Sequence, residues 1–267
     1  VAEALWRTGR PACTPQELEE LVRRELLAEL PGDIPPDAAL LETFGGSFFV
    51  HEGEHAFRFA HKSFLEFFLA RRLVEHLSER PSDVLATRPI TREVSAFVGE
   101  LLRRDGRPQA QPAVRSLQAW LRDGRRAVGE PEGTAVAAAN AARLLAGLGA
   151  WSGDHEGWFP EGADLQQVDL HGEDLGGVVW KDADLRRANL ARVKLEGAVL
   201  DGAELEEATL AASQLTHVTL RGGSARCADF TFVRGRNCCL ADITLAGARL
   251  RQSQWYRCSW TEGEASS

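Results

Sequence analysis

Hydrophobic positions in the second half of the chain recur at every fifth residue. Between Glu161 and Trp260 the positions divisible by five are leucine at Leu165, Leu170, Leu175, Leu185, Leu190, Leu195, Leu200, Leu205, Leu210, Leu215, Leu220, Leu240, Leu245 and Leu250. They are aromatic at Trp180, Phe230, Trp255 and Trp260, and only Ala225 and Gly235 depart. Two residues earlier the side chain is almost always small or β-branched, as in Ala163, Val168, Val178, Ala183, Ala188 and Val193; Glu173 is the charged exception. A period of five fits neither a helix nor a flat strand, since either would scatter these leucines over opposite faces. A chain that turns a corner every five residues keeps two positions inward and three toward solvent.

Segments such as Ala163-Asp164-Leu165, Ala183-Asp184-Leu185 and Ala188-Asn189-Leu190 resemble the A-D-L-x-x pattern of the pentapeptide-repeat family. The resemblance implies a right-handed quadrilateral β-helix with four pentapeptides per coil. Residues 161–260 then form about five coils, a rod rising roughly 24 Å at the usual inter-strand spacing. Residues twenty apart are expected to stack, as in the column Leu165, Leu185, Leu205, Ala225, Leu245. A solenoid coil cannot bury its own interior, so its ends need cover. Trp255 and Trp260 suit a C-terminal cap, and Trp151, Trp158 and Phe159 an N-terminal one. The 221–240 coil is irregular, with Gly223, Ala225 and Gly235 in place of larger residues. It reads either as a dent that receives a ligand or as repeat decay filled by Phe230 and Phe232. Cys238 and Cys258, one coil apart, read as a reduced inward pair.

The 267 residues carry 31 basic and 39 acidic side chains, a net charge of -8, which argues against a general nucleic-acid binder. The charge is uneven along the rod. Residues 161–207 hold 12 acidic and 5 basic groups. Residues 221–257 hold Asp229 and Asp242 against Arg221, Arg226, Arg234, Arg236, Arg249, Arg251 and Arg257. These seven arginines are the candidate partner-binding residues. The acidic and basic groups of the rod nearly balance, which speaks against a DNA mimic. Five cysteines without C-x-x-C spacing favour a reducing, cytoplasmic setting. No apolar run is long enough to span a membrane, the best candidate (134–151) being broken by Asn140 and Arg143. With Val1 first and no methionine, the chain reads as part of a longer polypeptide.

Residues 1–150 have another texture. Thr14-Pro15-Gln16-Glu17 is a capping box expected to open a helix to about Leu30. A short helix is expected from Pro35. Ser47–His51 and Ala56–Ala60 read as a hairpin, and a helix follows from about Ser63 to His76. Two helices and a hairpin predict a winged-helix domain over 1–85, and further helices a helical domain over 86–150. The pentapeptide-repeat domain then occupies 151–267. His51-Glu52-Gly53-Glu54-His55 matches the H-E-x-x-H zinc signature, but that chemistry needs both histidines on one helix face, and a glycine-centred turn splays them.

The stretch Phe57-Arg58-Phe59-Ala60-His61-Lys62-Ser63-Phe64-Leu65-Glu66-Phe67-Phe68-Leu69-Ala70 resembles the winged-helix domain of NACHT-type signal-transducing NTPases, with Leu65 where that family commonly has glutamine. The resemblance implies that His61 contacts the β-phosphate of ADP in a closed, inactive state. It also implies a nucleotide-binding domain upstream in the same polypeptide, which would hold ADP or ATP with Mg, and oligomerisation on activation. No phosphate loop or catalytic constellation is legible here, so no cofactor is expected of this chain alone. The resulting expectation is a non-catalytic regulatory and sensing half of a bacterial defence or signalling switch, the rod reading an unknown protein or other ligand. The alternative is a stand-alone pentapeptide-repeat binding protein. Without the resemblance, His61 reads as a capping or core histidine at the strand–helix junction.

Overall fold

The computed structural model describes residues 2–17, 49–51, 56–77, 85–104, 112–124, 131–152 and 159–262. The chain divides into two compact units, Val1–Leu73 and Val74–Ser267.

In the first unit, helix α1 (Ala2–Thr8) precedes strand β1 (Ala12–Cys13), and β2 (Phe49–His51) pairs with β3 (Phe57–Phe59). The β2–β3 pair is the expected hairpin, antiparallel with Phe49 opposite Phe59. The two rings sit 4.4 Å apart, a cross-strand aromatic contact that holds the register. β1, which the sequence reading did not anticipate, adds to the other edge of β3. The capping box is formed: the Thr14 N–H donates to Glu17 Oε2 at 2.9 Å and the Glu17 N–H to Thr14 Oγ1 at 3.2 Å. The remainder of that helix and the one expected from Pro35 lie outside the described residues. Helix α2 (Lys62–Leu77) starts directly after β3.

The second unit contains α3 (Arg92–Arg104), α4 (Pro112–Ala119), a π-helical turn (Trp120–Gly124) and α5 (Pro131–Ser152), followed by the repeats. α5 is rich in alanine, so α3 can approach it closely, with Ala138, Ala141, Ala142 and Leu145 buried. Asn140, fully buried, is the polar break noted in that apolar run. Its Oδ1 accepts from the Ile90 N–H at 2.8 Å, and its Nδ2 donates to the carbonyls of Leu85 (2.8 Å) and Arg88 (2.7 Å). The amide thus satisfies loop backbone groups that would otherwise be buried unpaired.

From Ala163 on, the chain is a β-solenoid. Parallel bridges join residues twenty apart, such as Asp164–Asp184–Glu204–Ser224–Thr244 and Val179–Val199–Thr219–Cys239. Backbone amides bond to the next coil, for example Leu165 N–H to Asp184 O and Leu185 N–H to Glu204 O, both 2.8 Å. The second residue of every pentapeptide from Gly162 to Arg257 has positive φ, thirteen of them not glycine, including Asp182 (54°) and Phe232 (60°). This left-handed residue is the corner, and it costs a non-glycine residue about 1 kcal/mol, offset here by the stacking it permits. The expected inward positions are filled: Leu165 through Leu215 at every leucine of the series are buried.

The irregular 221–240 coil is a place where the expectation needs correcting. Phe230 is fully buried, but Phe232 is 55% exposed and fills nothing. Its corner position in the pentapeptide points it outward. The space at Gly235 is taken by the Trp255 ring from the following coil: a Cβ on Gly235 would lie 2.6 Å from Cζ3 of that indole and closer still to Cε3.

Glu173 also departs from the pattern. It faces Arg143 of α5, whose Nε lies 2.9 Å from Oε1, and Arg92 of α3, whose Nε lies 3.3 Å from Oε2. Arg143 also donates to the Asp169 carbonyl at 2.5 Å. The helices therefore grip the first coil. Leu121 of the π-turn gives its carbonyl to the Asp164 N–H at 2.9 Å, as a preceding coil would. Phe159 packs edge-on against the buried Trp180, ring centres 5.5 Å apart, while Trp151 and Trp158 contribute no described side chain. At the other end Trp255 and Trp260 meet edge-to-face at 4.9 Å, but Leu250 and Trp260 remain 38% and 39% exposed.

Candidate partner-binding face

Four short strands at one position of successive coils, β4 (Lys194–Glu196), β5 (Gln214–Thr216), β6 (Arg234–Arg236) and β8 (Gln254–Tyr256), form a parallel four-stranded sheet. The register aligns Gln214 with Arg234 and Gln254, and Thr216 with Arg236 and Tyr256. Central residues Leu195, Leu215 and Gly235 point into the shaft, so their neighbours point out. A second, two-stranded sheet pairs β7 (Cys239–Ile243) with β9 (Ser259–Glu262).

The register gathers four of the seven candidate arginines. Arg234 and Arg236 project from β6, Arg251 stands just before the Gln252 corner that leads into β8, and Arg257 is the corner after it. The stretches 211–217, 231–237 and 251–257, which carry β5, β6 and β8 with their corners, contain no carboxylate, whereas β4 at the edge of the sheet carries the exposed Glu196. The face also displays Phe232 (55% exposed) and Tyr256 (59% exposed), and Arg257 stacks on the Tyr256 ring at 5.1 Å. The amides Gln214, Gln254 and Asn237 complete it, Asn237 lying 3.5 Å from the His217 ring. The two aromatics were not singled out from the sequence as surface residues. Their place in the pentapeptide, second for Phe232 and first for Tyr256, already put them outside.

The other three arginines lie elsewhere. Arg249 faces Asp229 at 3.8 Å, on another column. Arg226 is exposed and stands just before the Cys227 corner, away from this sheet. Arg221 donates from Nε to the Cys239 sulfur at 3.4 Å. The Ser259 hydroxyl and this guanidinium hold the Cys239 thiol below the ordinary range. Its neighbour Cys238, pointing inward toward Cys258, is pushed up to about 11 by burial. Toward the start of the rod the sign reverses: Glu204 is raised by burial and by the adjacent Glu206 and Asp184.

His61 sits at the β3–α2 junction, exposed, where its Nδ1 accepts the Ser63 N–H at 3.2 Å and caps the helix. His51 ends a strand, not a helix, and residues 52–55 of the H-E-x-x-H match lie outside the described residues. Among the described residues no group of three metal-ligating side chains comes together, and no helix is long and apolar enough to cross a membrane. A cavity of about 250 Å³ lies between α3, α5 and the first coil. Its arginines Arg92 and Arg143 are the ones already tied to Glu173.

Comparison with known proteins agrees with the repeat. The family model for pentapeptide repeats matches eight copies over residues 163–202 and 183–222, so the chain carries a pentapeptide-repeat domain. No curated protein matches the chain. Among solved structures, HetL is a pentapeptide repeat protein involved in heterocyst differentiation regulation, from the cyanobacterium Nostoc sp. strain PCC 7120. It is 27% identical over 35% of this chain and 49% of its own, with a TM-score of 0.30. Rfr23 of the cyanobacterium Cyanothece 51142 is 23% identical over 34% of this chain and 61% of its own, with a TM-score of 0.33. A pentapeptide repeat protein of the Arabidopsis thaliana thylakoid lumen is 26% identical over 35% and 61%, with a TM-score of 0.26. The chain thus spans about half of HetL and about three fifths of the other two.

Proposed function

We propose that this chain is a non-catalytic binding module whose solenoid presents its β4–β5–β6–β8 face to an anionic macromolecular partner. The twenty-residue register and a corner at every fifth residue support a quadrilateral coil of four pentapeptides, repeated about five times. Such a rod is a rigid scaffold with flat, periodic faces. The observation that carries the reading is the gathering of Arg234, Arg236, Arg251 and Arg257 on carboxylate-free strands and corners. Four arginines on two adjacent coils with no carboxylate among them raise the local positive potential, which favours an anion lying across them. DNA mimicry needs the opposite sign and is disfavoured.

The test is retention on immobilised heparin, a generic polyanion. The full chain should bind at low salt and elute with rising salt, and Arg234→Glu combined with Arg236→Glu should flow through. Wild-type chain that is not retained at low salt overturns the reading. A second reading, the regulatory half of a NACHT-type switch in the cytoplasm, rests on the resemblance at Phe57–Ala70 and on the exposed junction position of His61. In the intact protein His61→Ala should then weaken ADP retention and raise basal output; unchanged values would reject it.

A further inference from the structure

We propose that the β4–β5–β6–β8 face binds single-stranded nucleic acid, an inference that rests on the anionic-partner reading above and names the partner's class. Three kinds of side chain coincide there, and each matches a different part of a nucleotide. Arg234, Arg236, Arg251 and Arg257 meet phosphates, singly or in bidentate fashion. Phe232 and Tyr256 offer exposed rings on which bases stack. The amides of Gln214, Gln254 and Asn237 both donate and accept, as the edges of an unpaired base require.

The aromatics decide between partners. An acidic protein face would be served by the arginines alone, and two apolar rings more than half exposed would add a solvation cost without a matching group. A duplex hides the faces of its bases, so the rings would have nothing to stack on. A single strand exposes both phosphates and base faces. The Arg257 guanidinium lies over one side of the Tyr256 ring at 5.1 Å, so cation and aromatic ring are presented together. Successive coils are about 4.8 Å apart, so the three carboxylate-free coils of the face span roughly 10 Å along the rod, with the arginines on the last two.

The overall charge of -8 does not oppose this. The acidic groups cluster in residues 161–207, and Glu173 is neutralised by Arg143 and Arg92. At physiological salt the Debye length is about 8 Å, so acidic groups more than about two coils from the basic strands are largely screened from them.

The experiment measures fluorescence anisotropy of labelled ten-nucleotide oligo-dT and oligo-rU with the full chain, over a range of salt. A ten-base-pair duplex and a glutamate decapeptide serve as comparison probes. Binding of the single strands should exceed that of both comparison probes by at least tenfold. If all four arginines meet phosphates, the log–log salt slope should be about -3. Phe232→Ala and Tyr256→Ala should each weaken oligonucleotide binding about tenfold or more, leaving heparin retention nearly unchanged. Arg234→Glu with Arg236→Glu should abolish both. All four residues are exposed, and an unchanged melting temperature verifies folding of each variant. Equal or tighter binding of the glutamate peptide or the duplex would overturn the nucleic-acid assignment, as would oligonucleotide affinity indifferent to both aromatics. Either result with heparin retention intact would leave the broader reading standing, whereas loss of heparin retention by the wild type would remove both.

Discussion

The indole of Trp255 occupies the space that a side chain at Gly235, twenty residues earlier, would fill. The two are paired in register on β6 and β8, so the larger ring of one coil completes the shaft of the coil before it. What reads along the chain as a lost leucine is a leucine's volume supplied from the next coil.

Gly235→Ala should therefore destabilise the protein, by about 1–3 kcal/mol, as overpacking of a closed core does. The backbone there needs no glycine for its conformation, so the cost comes from the ring. Combining it with Trp255→Leu should recover much of the loss, a positive coupling in a double-mutant cycle measured by urea unfolding. Additive effects would show that the ring does not seat over Gly235.

Glu173→Val restores the repeat consensus and matches Val193 and Val233 in its column, yet it should lower stability. Arg143, with 12% of its side chain exposed, would lose the carboxylate at 2.9 Å. Removing one partner of a largely buried pair leaves the other charge uncompensated, here roughly 1–3 kcal/mol, since Arg143 keeps its bonds to Asp169 O and Asn140 Oδ1. A consensus substitution that stabilises would sink this account of how the helices hold the first coil.

Asn140→Leu should be among the most damaging single changes. It fits the apolar surroundings by size, but it strands one N–H and two carbonyls of the 85–90 segment. Unpaired buried groups of this kind cost about 1–3 kcal/mol each. Hydrogen exchange at Ile90 should accelerate sharply in that variant; unaltered protection there would reject the role.

The cysteines give a pH test. Cys239, its thiol lowered by Ser259 and Arg221, should react with iodoacetamide at a midpoint below that of a free thiol, and Arg221→Ala should move the midpoint upward. Cys238 behaves oppositely. Its folded value, about 11, lies above the ordinary 9.0. The unfolded chain releases this proton first, so the contribution to stability is complete below about pH 9 and is lost as pH rises toward about 11. Unfolding free energies should fall between pH 8 and 11 as this group titrates. The fall should be smaller in Cys238→Ala, and an equal fall in that variant would assign it to other groups.

The rod was legible from residues 161–260 because its cause is local. One left-handed residue in every five turns the chain, and each pentapeptide repeats the same choice of two inward and three outward side chains. The hairpin at Phe49–Phe59 and the capping box at Thr14 were legible for the same reason: their contacts lie within a few residues. What tertiary structure alone decided are matters of stacking between distant segments. The sequence shows seven arginines spread over 37 residues; only the twenty-residue register brings four of them onto one sheet and its corners and sends Arg221, Arg226 and Arg249 elsewhere. It likewise seats Trp255 over Gly235 and turns Glu173 toward Arg143, thirty residues away in the chain, because a charge that cannot enter an apolar shaft is stabilised where an opposite charge meets it.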